Sequence, residues 1–506
     1  MTLLLWIVRL VLPIALVVGL FVDGSLDQGN ADSTGVVLVD SDNAVPGGQS
    51  LTSTWYCPTA HSRELPEAGV TAQVELVLTN TAAEPTKASI YLVSPTSPQR
   101  LVQLEVPGLA SRSLQVADHT ADELVSALVE APAPGIVAAR RVRSPYGSEV
   151  SPCSSVVSDE WYVVSADTQA DTTSHLVVFN PLPIDAVIDL SFASELEVGP
   201  YIPRELGGLV VPAASSLLID IGEHVRRRDV VSATLRARLG RVVVDHIQAF
   251  DGSSGRVGFS AHLASATIAT SWYHPVARLG PTEVASVVVS NPTDVVADIE
   301  VSIVTGEGPT ESAVASVGPY DLVKVQVLPE VEERLVSNTV FTAAALFGIL
   351  VRSSNGVPVV SGVELAAGPR GSPGKESTEN ELLPIRNGQE EVQLPPGRES
   401  GLSVSPGVPN GAKRWILAIP DLGGQVMIGL QNTNQAEATV FLSPYGSRGR
   451  YKVSLAGFGS KSVPLAAGST IEVRSEVPIA VTALHQNASG AGLNSILGIK
   501  FVEVQP

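Results

Sequence analysis

The sequence predicts an all-β chain: a tandem array of four immunoglobulin-like or fibronectin-like β-sandwich repeats with short helical turns, preceded by one N-terminal transmembrane helix. Three observations carry this expectation. The pair Trp55-Tyr56 returns as Trp161-Tyr162, as Trp272-Tyr273 and, altered, as Trp415-Ile416; the only other tryptophan is Trp6. Recurrence of scarce, bulky residues marks an internal repeat. Behind each pair comes an alternating run ending in Asn80, Asn180, Asn291 or Asn432, at steps of 100, 111 and 141 residues. Charged residues make up only 16% of the chain while 44 Gly and 36 Pro punctuate it, which favours short strands and turns over charge-laced helices.

The first apolar run, Leu3 to Val22, is interrupted only by Arg9 and Pro13. At about 1.5 Å per residue it is long enough to span a hydrocarbon core of about 30 Å. Arg9 near its start and Asp23 and Asp27 after it orient the N-terminus inward and the bulk of the chain outward. A cleaved signal peptide is the competing reading, although no small-x-small cleavage site follows the run. Residues 1–23 are thus expected as anchor and the polar stretch 24–35 as spacer.

Repeat 1 is expected over 36–155, repeat 2 over 156–262 and repeat 3 over 263–367. A Pro/Gly/Ser/Glu-rich linker is expected over 368–413, with a more loosely tethered repeat 4 over 414–506. In each repeat the Trp segment leads to a hairpin whose turn follows the Asn. The period-2 alternation is cleanest in Ala297 to Ile303. A Pro- or Gly-marked turn, another strand and a closing apolar strand pair follow, giving six to seven strands per repeat. Helical turns are expected at Thr120–Val129, where Thr120 and Glu123 have capping-box spacing, and at Asp220–Arg228 and Pro329–Leu335.

The chain holds two cysteines, Cys57 and Cys153, which bracket repeat 1. Outside the cytoplasm such a pair reads as a disulfide, closing a loop of about 100 residues. The formal net charge of −19 opposes a nucleic-acid partner, which needs a basic face.

Trp55, Trp161, Trp272 and Trp415 are expected as core filler between two sheets, with stacking on a glycan as the alternative. Asn80, Asn180, Asn291 and Asn432 are expected to hold turns. The histidines show no metal-ligand spacing, and Asp40-Ser41-Asp42-Asn43 lacks the Gly and distal Glu of a calcium loop. No nucleophile elbow, zinc-protease motif or phosphate loop is present, so no catalytic residue, cofactor or metal is expected.

Through Trp55-Tyr56-Cys57-Pro58 after an apolar anchor, and through the recurrent strand-Asn units, the chain resembles a family of actinobacterial membrane-anchored or secreted proteins of unknown function. The resemblance implies a cell-envelope setting and transfers no catalytic residue. The expected function is a non-catalytic, membrane-tethered, extracytoplasmic scaffold or protein-interaction protein, held to the membrane by its N-terminal helix. A binder of cell-wall glycan is the alternative, and an envelope hydrolase a further one.

Overall fold

The computed structural model describes residues 44–45, 52–59, 73–132, 135–253, 256–279, 283–327, 345–367, 401–419, 425–445, 449–466, 468, 470–486 and 493–501. The expected anchor and spacer, Asp40–Asp42 and the helical turn at Pro329–Leu335 lie outside the described residues. Among the described residues no helix is long and apolar enough to cross a membrane. Residues Asn43–Pro506 form one compact unit.

The unit is all-β and four-fold repetitive. Repeat 2 shows the plan, with strands Glu160–Ala166, Thr172–Asn180, Ala186–Ser194, Gly207–Val211, Ser215–Asp220, Val231–Leu239, Val243–Asp251 and Val257–Leu263. Its first strand carries Trp161 and lies in a sheet ordered first–sixth–third–fourth, hereafter the Trp sheet. Its second strand ends on Asn180 and lies in a sheet ordered fifth–second–seventh–eighth, the Asn sheet. Apolar side chains from both sheets, including Trp161, Val178, Ile188, Leu235 and Val244, form the core between them. Repeats 1 and 3 have the same two sheets. The first strand pairs with the sixth and the seventh with the second, whereas immunoglobulin order puts the first beside the second and the seventh beside the sixth.

Three expectations are corrected. Gly401–Pro406, inside the stretch expected as linker, is the eighth strand of repeat 3 and pairs from Gly401↔Ala367 to Pro406↔Gly362. The Pro- and Gly-rich composition around this six-residue strand hides its alternation, so residues 368–400 are an insertion between two paired neighbours and not a tether between repeats. Thr120 does not cap a helix: its hydroxyl bonds the backbone and carboxylate of Asp122, and Ser126–Pro132 is a strand. There the period-2 burial of Ala127, Val129 and Ala131 prevails over the capping spacing. Helical structure near the other expected turn shrinks to Ile221–His224, with Asp220 accepting from the Gly222 N–H as N-cap.

In repeat 4 the sixth and seventh strands fuse into one 17-residue strand, Thr470–Gln486, which joins both sheets. The first three repeats turn at this place on Gly135, Gly240 and Gly356, all with positive φ. Repeat 4 has Ser475-Glu476-Val477-Pro478 there, with no residue suited to that turn.

The eighth strands of the four repeats close into a cycle. Gly147–Pro152 packs on Val257–Leu263, that strand on Gly401–Pro406, that on Leu493–Leu497, and the last back on Gly147–Pro152. Where each Trp sheet meets the next Asn sheet, one of the contacts is made by a small residue of its sixth strand. Ser126 Oγ lies 2.8 Å from Ser216 Oγ, Ser290 Oγ donates to Ser232 Oγ at 3.1 Å, and Thr470 Oγ1 lies 3.1 Å from Ser111 Oγ. At the fourth such contact, between repeats 3 and 4, a Cβ on Gly348 would come within 2.8 Å of Ser460 Cβ. The chain ahead of the first Trp strand joins repeat 4, because Ala44–Val45 pairs in parallel with Ile499–Phe501.

Since Ala367 and Gly401 are already cross-strand partners, replacing residues 368–400 with a short turn should leave the thermal midpoint within about 2 °C of the parent, loop length entering only logarithmically. Calorimetry of the shortened chain checks this; a fall of 10 °C would show that the segment carries packing.

Candidate functional site

The repeated side chains serve the interior. The four repeat-marking tryptophans are buried, and each indole N–H crosses between sheets to the corresponding backbone carbonyl. Trp55 donates to Ile136, Trp161 to Val242 and Trp272 to Val359, each at 2.8 Å, and Trp415 to Ile479 at 2.9 Å. No ring face is open to a sugar. The adjoining Tyr closes the sandwich edge by its backbone: Tyr56 exchanges two hydrogen bonds with Ser154, Tyr162 with Ser265 and Tyr273 with Val408. In repeat 4 this bridge widens into the pairing of Trp415 and Ile416 with Lys500 and Ile499.

The four asparagines are fully buried and pin one corner. The Asn180 amide donates to the carbonyls of Ile184, Val211 and Pro212, while its oxygen accepts from the Leu182 N–H. Asn80, Asn291 and Asn432 repeat the pattern. The turn each one grips holds a non-glycine residue at φ between 44° and 55°: Leu109, Ala214, Tyr320 or Phe458. Such a conformation persists only where neighbouring bonds over-determine it.

Cys57 and Cys153 form a disulfide. Their positions correspond to Val163 and Ala264 in repeat 2, His274 and Gly407 in repeat 3, and Leu417 and Gly498 in repeat 4. Where the first member is large, the second is small. A Cβ on Gly407 would lie 2.8 Å from His274 Cε1. His274 is no metal ligand: it is buried, its Nε2 lies 3.0 Å from Ser361 Oγ, and burial pushes its pKa down to about 3.

A buried titratable cluster lies where the eighth strands meet; its charged and histidine members are scattered over repeats 1 and 2 and their polar partners over repeats 3 and 4, so no local sequence motif marks it. Arg140 pairs with Asp245 across repeats 1 and 2, both fully buried, and donates to Ser151 Oγ at 2.9 Å. Glu149 accepts the Ser495 N–H of repeat 4 at 3.0 Å, and the same N–H reaches Ser403 Oγ of repeat 3 at 2.9 Å. Ser260 of repeat 2 bonds both backbone groups of Val404. His246 stacks edge-on against His262, with ring centroids 5.2 Å apart, and its Nε2 lies 2.9 Å from Ser174 Oγ. Arg140 Nη1, Glu149 Oε2, Asp245 Oδ2 and His246 Nδ1 have no hydrogen-bond partner among the described residues.

Burial governs the charges here. It raises Glu149 well above the usual carboxylate range, against the Ser495 N–H and Arg140, and lifts Asp245 to about 7 despite its ion pair. It pushes His246 down to about 3. Two acids with raised pKa values suit acid–base chemistry, yet both are almost wholly enclosed, and a substrate has no approach to them in this state. No group of described residues could hold a metal ion. An open depression of about 250 Å³ between repeats 3 and 4, lined by Thr270, Tyr273, Asn410 and Thr433 among others, includes no carboxylate, histidine or cationic side chain.

A family model described as "Family of unknown function (DUF5719)" matches residues 144–328. This stretch holds repeat 2 whole and ends just after the fifth strand of repeat 3. No curated protein matches the sequence. Among solved structures the chain is similar to one described as "Crystal structure of tetra-tandem repeat in extending region of large adhesion protein", at 11% identity over 85% of this chain and 95% of that one. The TM-score is 0.09, too low to carry an argument.

Two outcomes follow. The double substitution Cys57→Val with Cys153→Ala copies repeat 2 and should fold with the same sheets, losing about 2–5 kcal/mol of stability, which denaturant titration reads. Glu149→Gln mimics the protonated acid. Because the folded pKa of Glu149 is raised, its favourable contribution is complete below the unfolded value of about 4.3 and is lost as pH rises through the folded value. The variant should therefore melt above the parent at pH 8, and the gap should vanish near pH 4.

Proposed function

We propose that the chain is a non-catalytic scaffold of an actinobacterial cell envelope, tethered by its N-terminal apolar run with the folded unit outside the cytoplasm. The observation that carries this reading is the cyclic closure of four repeats in which every repeat-marking side chain is committed to packing. Such a body offers rigid outer strands for protein contacts and no shared reactive centre. The Leu3–Val22 run and the disulfide support the placement outside the cytoplasm. The enclosed Trp rings weaken the glycan-binding alternative, and the enclosed Glu149 and Asp245 weaken the hydrolase.

A photo-crosslinker at Val314, exposed on the fourth strand of repeat 3, tests the scaffold in living cells. Adducts with envelope proteins that survive digestion of the cell wall are expected. Adducts that collapse to the free chain on that digestion would overturn the scaffold in favour of a glycan binder.

A further inference from the structure

The fourth strand of each repeat is the outer edge of its Trp sheet, and a sheet edge presents unpaired N–H and C=O groups that natural chains guard with shortness, charge or a bulge. Three of the four edges are guarded. Gly207–Val211 has five residues, a register shift beside it and Gly208 at positive φ. Tyr451–Leu455 also has five and carries Lys452, while Arg100–Val106 carries Arg100 and Glu105. Gly308–Val317 of repeat 3 is longer, at ten residues. Pro309 and a register shift lie ahead of Ser312, but from Ser312 to Val317 the strand holds no charged residue.

This stretch reads the same in both directions: Ser312-Ala313-Val314-Ala315-Ser316 is a palindrome centred on Val314. Its inner side pairs with the third strand, from Ala297↔Val317 to Thr305↔Gly308, and among the described residues no strand pairs with its outer side. Ala315 packs against the core of repeat 3. On the opposite face Ser312 Oγ lies 2.8 Å from Ser302 Oγ, and Ser316 donates to the Asp298 carboxylate at 2.6 Å. Both hydroxyls are thus turned back onto the third strand. Val314 stands between them and is 68% exposed.

We propose that the fourth strand of repeat 3 is a dimer edge, which pairs antiparallel with the same strand of a second copy of the chain about a two-fold axis at Val314. A two-fold contact is isologous, so each residue must suit the one equally far beyond the axis. Here Ala313 meets Ala315, Ser312 meets Ser316 and Val314 meets itself, with no like charges opposed and no side chain larger than valine. A strand from a different protein would require no such symmetry. The pairing joins two four-stranded Trp sheets into one continuous sheet, and the two Val314 side chains cover one another. The charge of −19 on each copy opposes approach at low ionic strength, so added salt strengthens the pairing. The inference stands on the fold and does not depend on where the chain resides; a crosslinker at Val314 yields the doubled chain among its adducts.

The test is sedimentation of the full chain in detergent micelles at micromolar concentration, where a dimer is expected. V314K and V314E each set like charges on the axis and should sediment as monomers, whereas an equal mixture of the two should recover the dimer as a mixed pair. That recovery also shows that each variant is folded. V314C should oxidise to a disulfide-linked dimer, its thiol being free because both native cysteines are bonded to one another. L101C and V210C, at exposed positions on the fourth strands of repeats 1 and 2, should not. A parent that sediments as a monomer, or a V314K/V314E mixture that stays monomeric, overturns the proposal. So does a dimer that V314K leaves unchanged, which assigns association to another surface such as the N-terminal apolar run. V314C linked in cells only to other proteins overturns it by assigning the edge to a different partner.

Discussion

The hydrogen bond from each tryptophan indole to the carbonyl that opens the seventh strand is the constraint on which the fold depends. It fixes the distance and register between two sheets that share no continuous backbone ladder in the first three repeats. Once that bond is made, the neighbouring tyrosine backbone meets the residue after the eighth strand. The pair behind it is a disulfide in repeat 1, Val and Ala in repeat 2, His and Gly in repeat 3, and Leu and Gly in repeat 4. The same position is thus filled four times with different chemistry, and in repeat 3 the His274 ring takes the space that a Cβ on Gly407 would need. Such volume sharing is what dense packing demands of a core.

The parts of the fold legible in the sequence are those built from rare or periodic residues. Trp and Asn recur at readable intervals because one must fill a core and the other must satisfy two or three carbonyls at a corner. The cycle leaves no pattern in the sequence, because its contacts include Ser126, Ser232, Gly348 and Thr470, residues too common and too small to mark it. The last strand of repeat 3 was hidden for a related reason: Gly401-Leu402-Ser403-Val404-Ser405-Pro406 is short and sits against a long Pro- and Gly-rich insertion. At the central junction Arg140, Asp245 and Glu149 look like ordinary surface charges in the sequence. Only the meeting of three repeats buries them.

That junction has a physical cost and a corresponding use. Removing an ion pair and a lone carboxyl from water is unfavourable by several kcal/mol, and apolar side chains of the same volume would often be more stable there. What the polar groups add is discrimination, since an unpaired Arg140 or Glu149 penalises any packing in which the wrong strands meet. Four nearly equivalent sandwiches have many ways to dock on one another, and here the centre accepts few of them. The fourth strand of repeat 3 breaks the equivalence in the other direction, by giving one repeat a longer outer edge than the rest.

The pairing of Ala44–Val45 with Ile499–Phe501 has a mechanical consequence. A pull on the chain ahead of Ala44 is transmitted first to the closing strand of repeat 4, and only then to the sheets of repeat 1. Residues 44–45 and 499–501 are thereby brought to one line of hydrogen bonds, where a load on the leading segment is resisted by a strand near the end of repeat 4. A body joined in this way behaves under tension as a clasped ring, and its weakest link is the clasp.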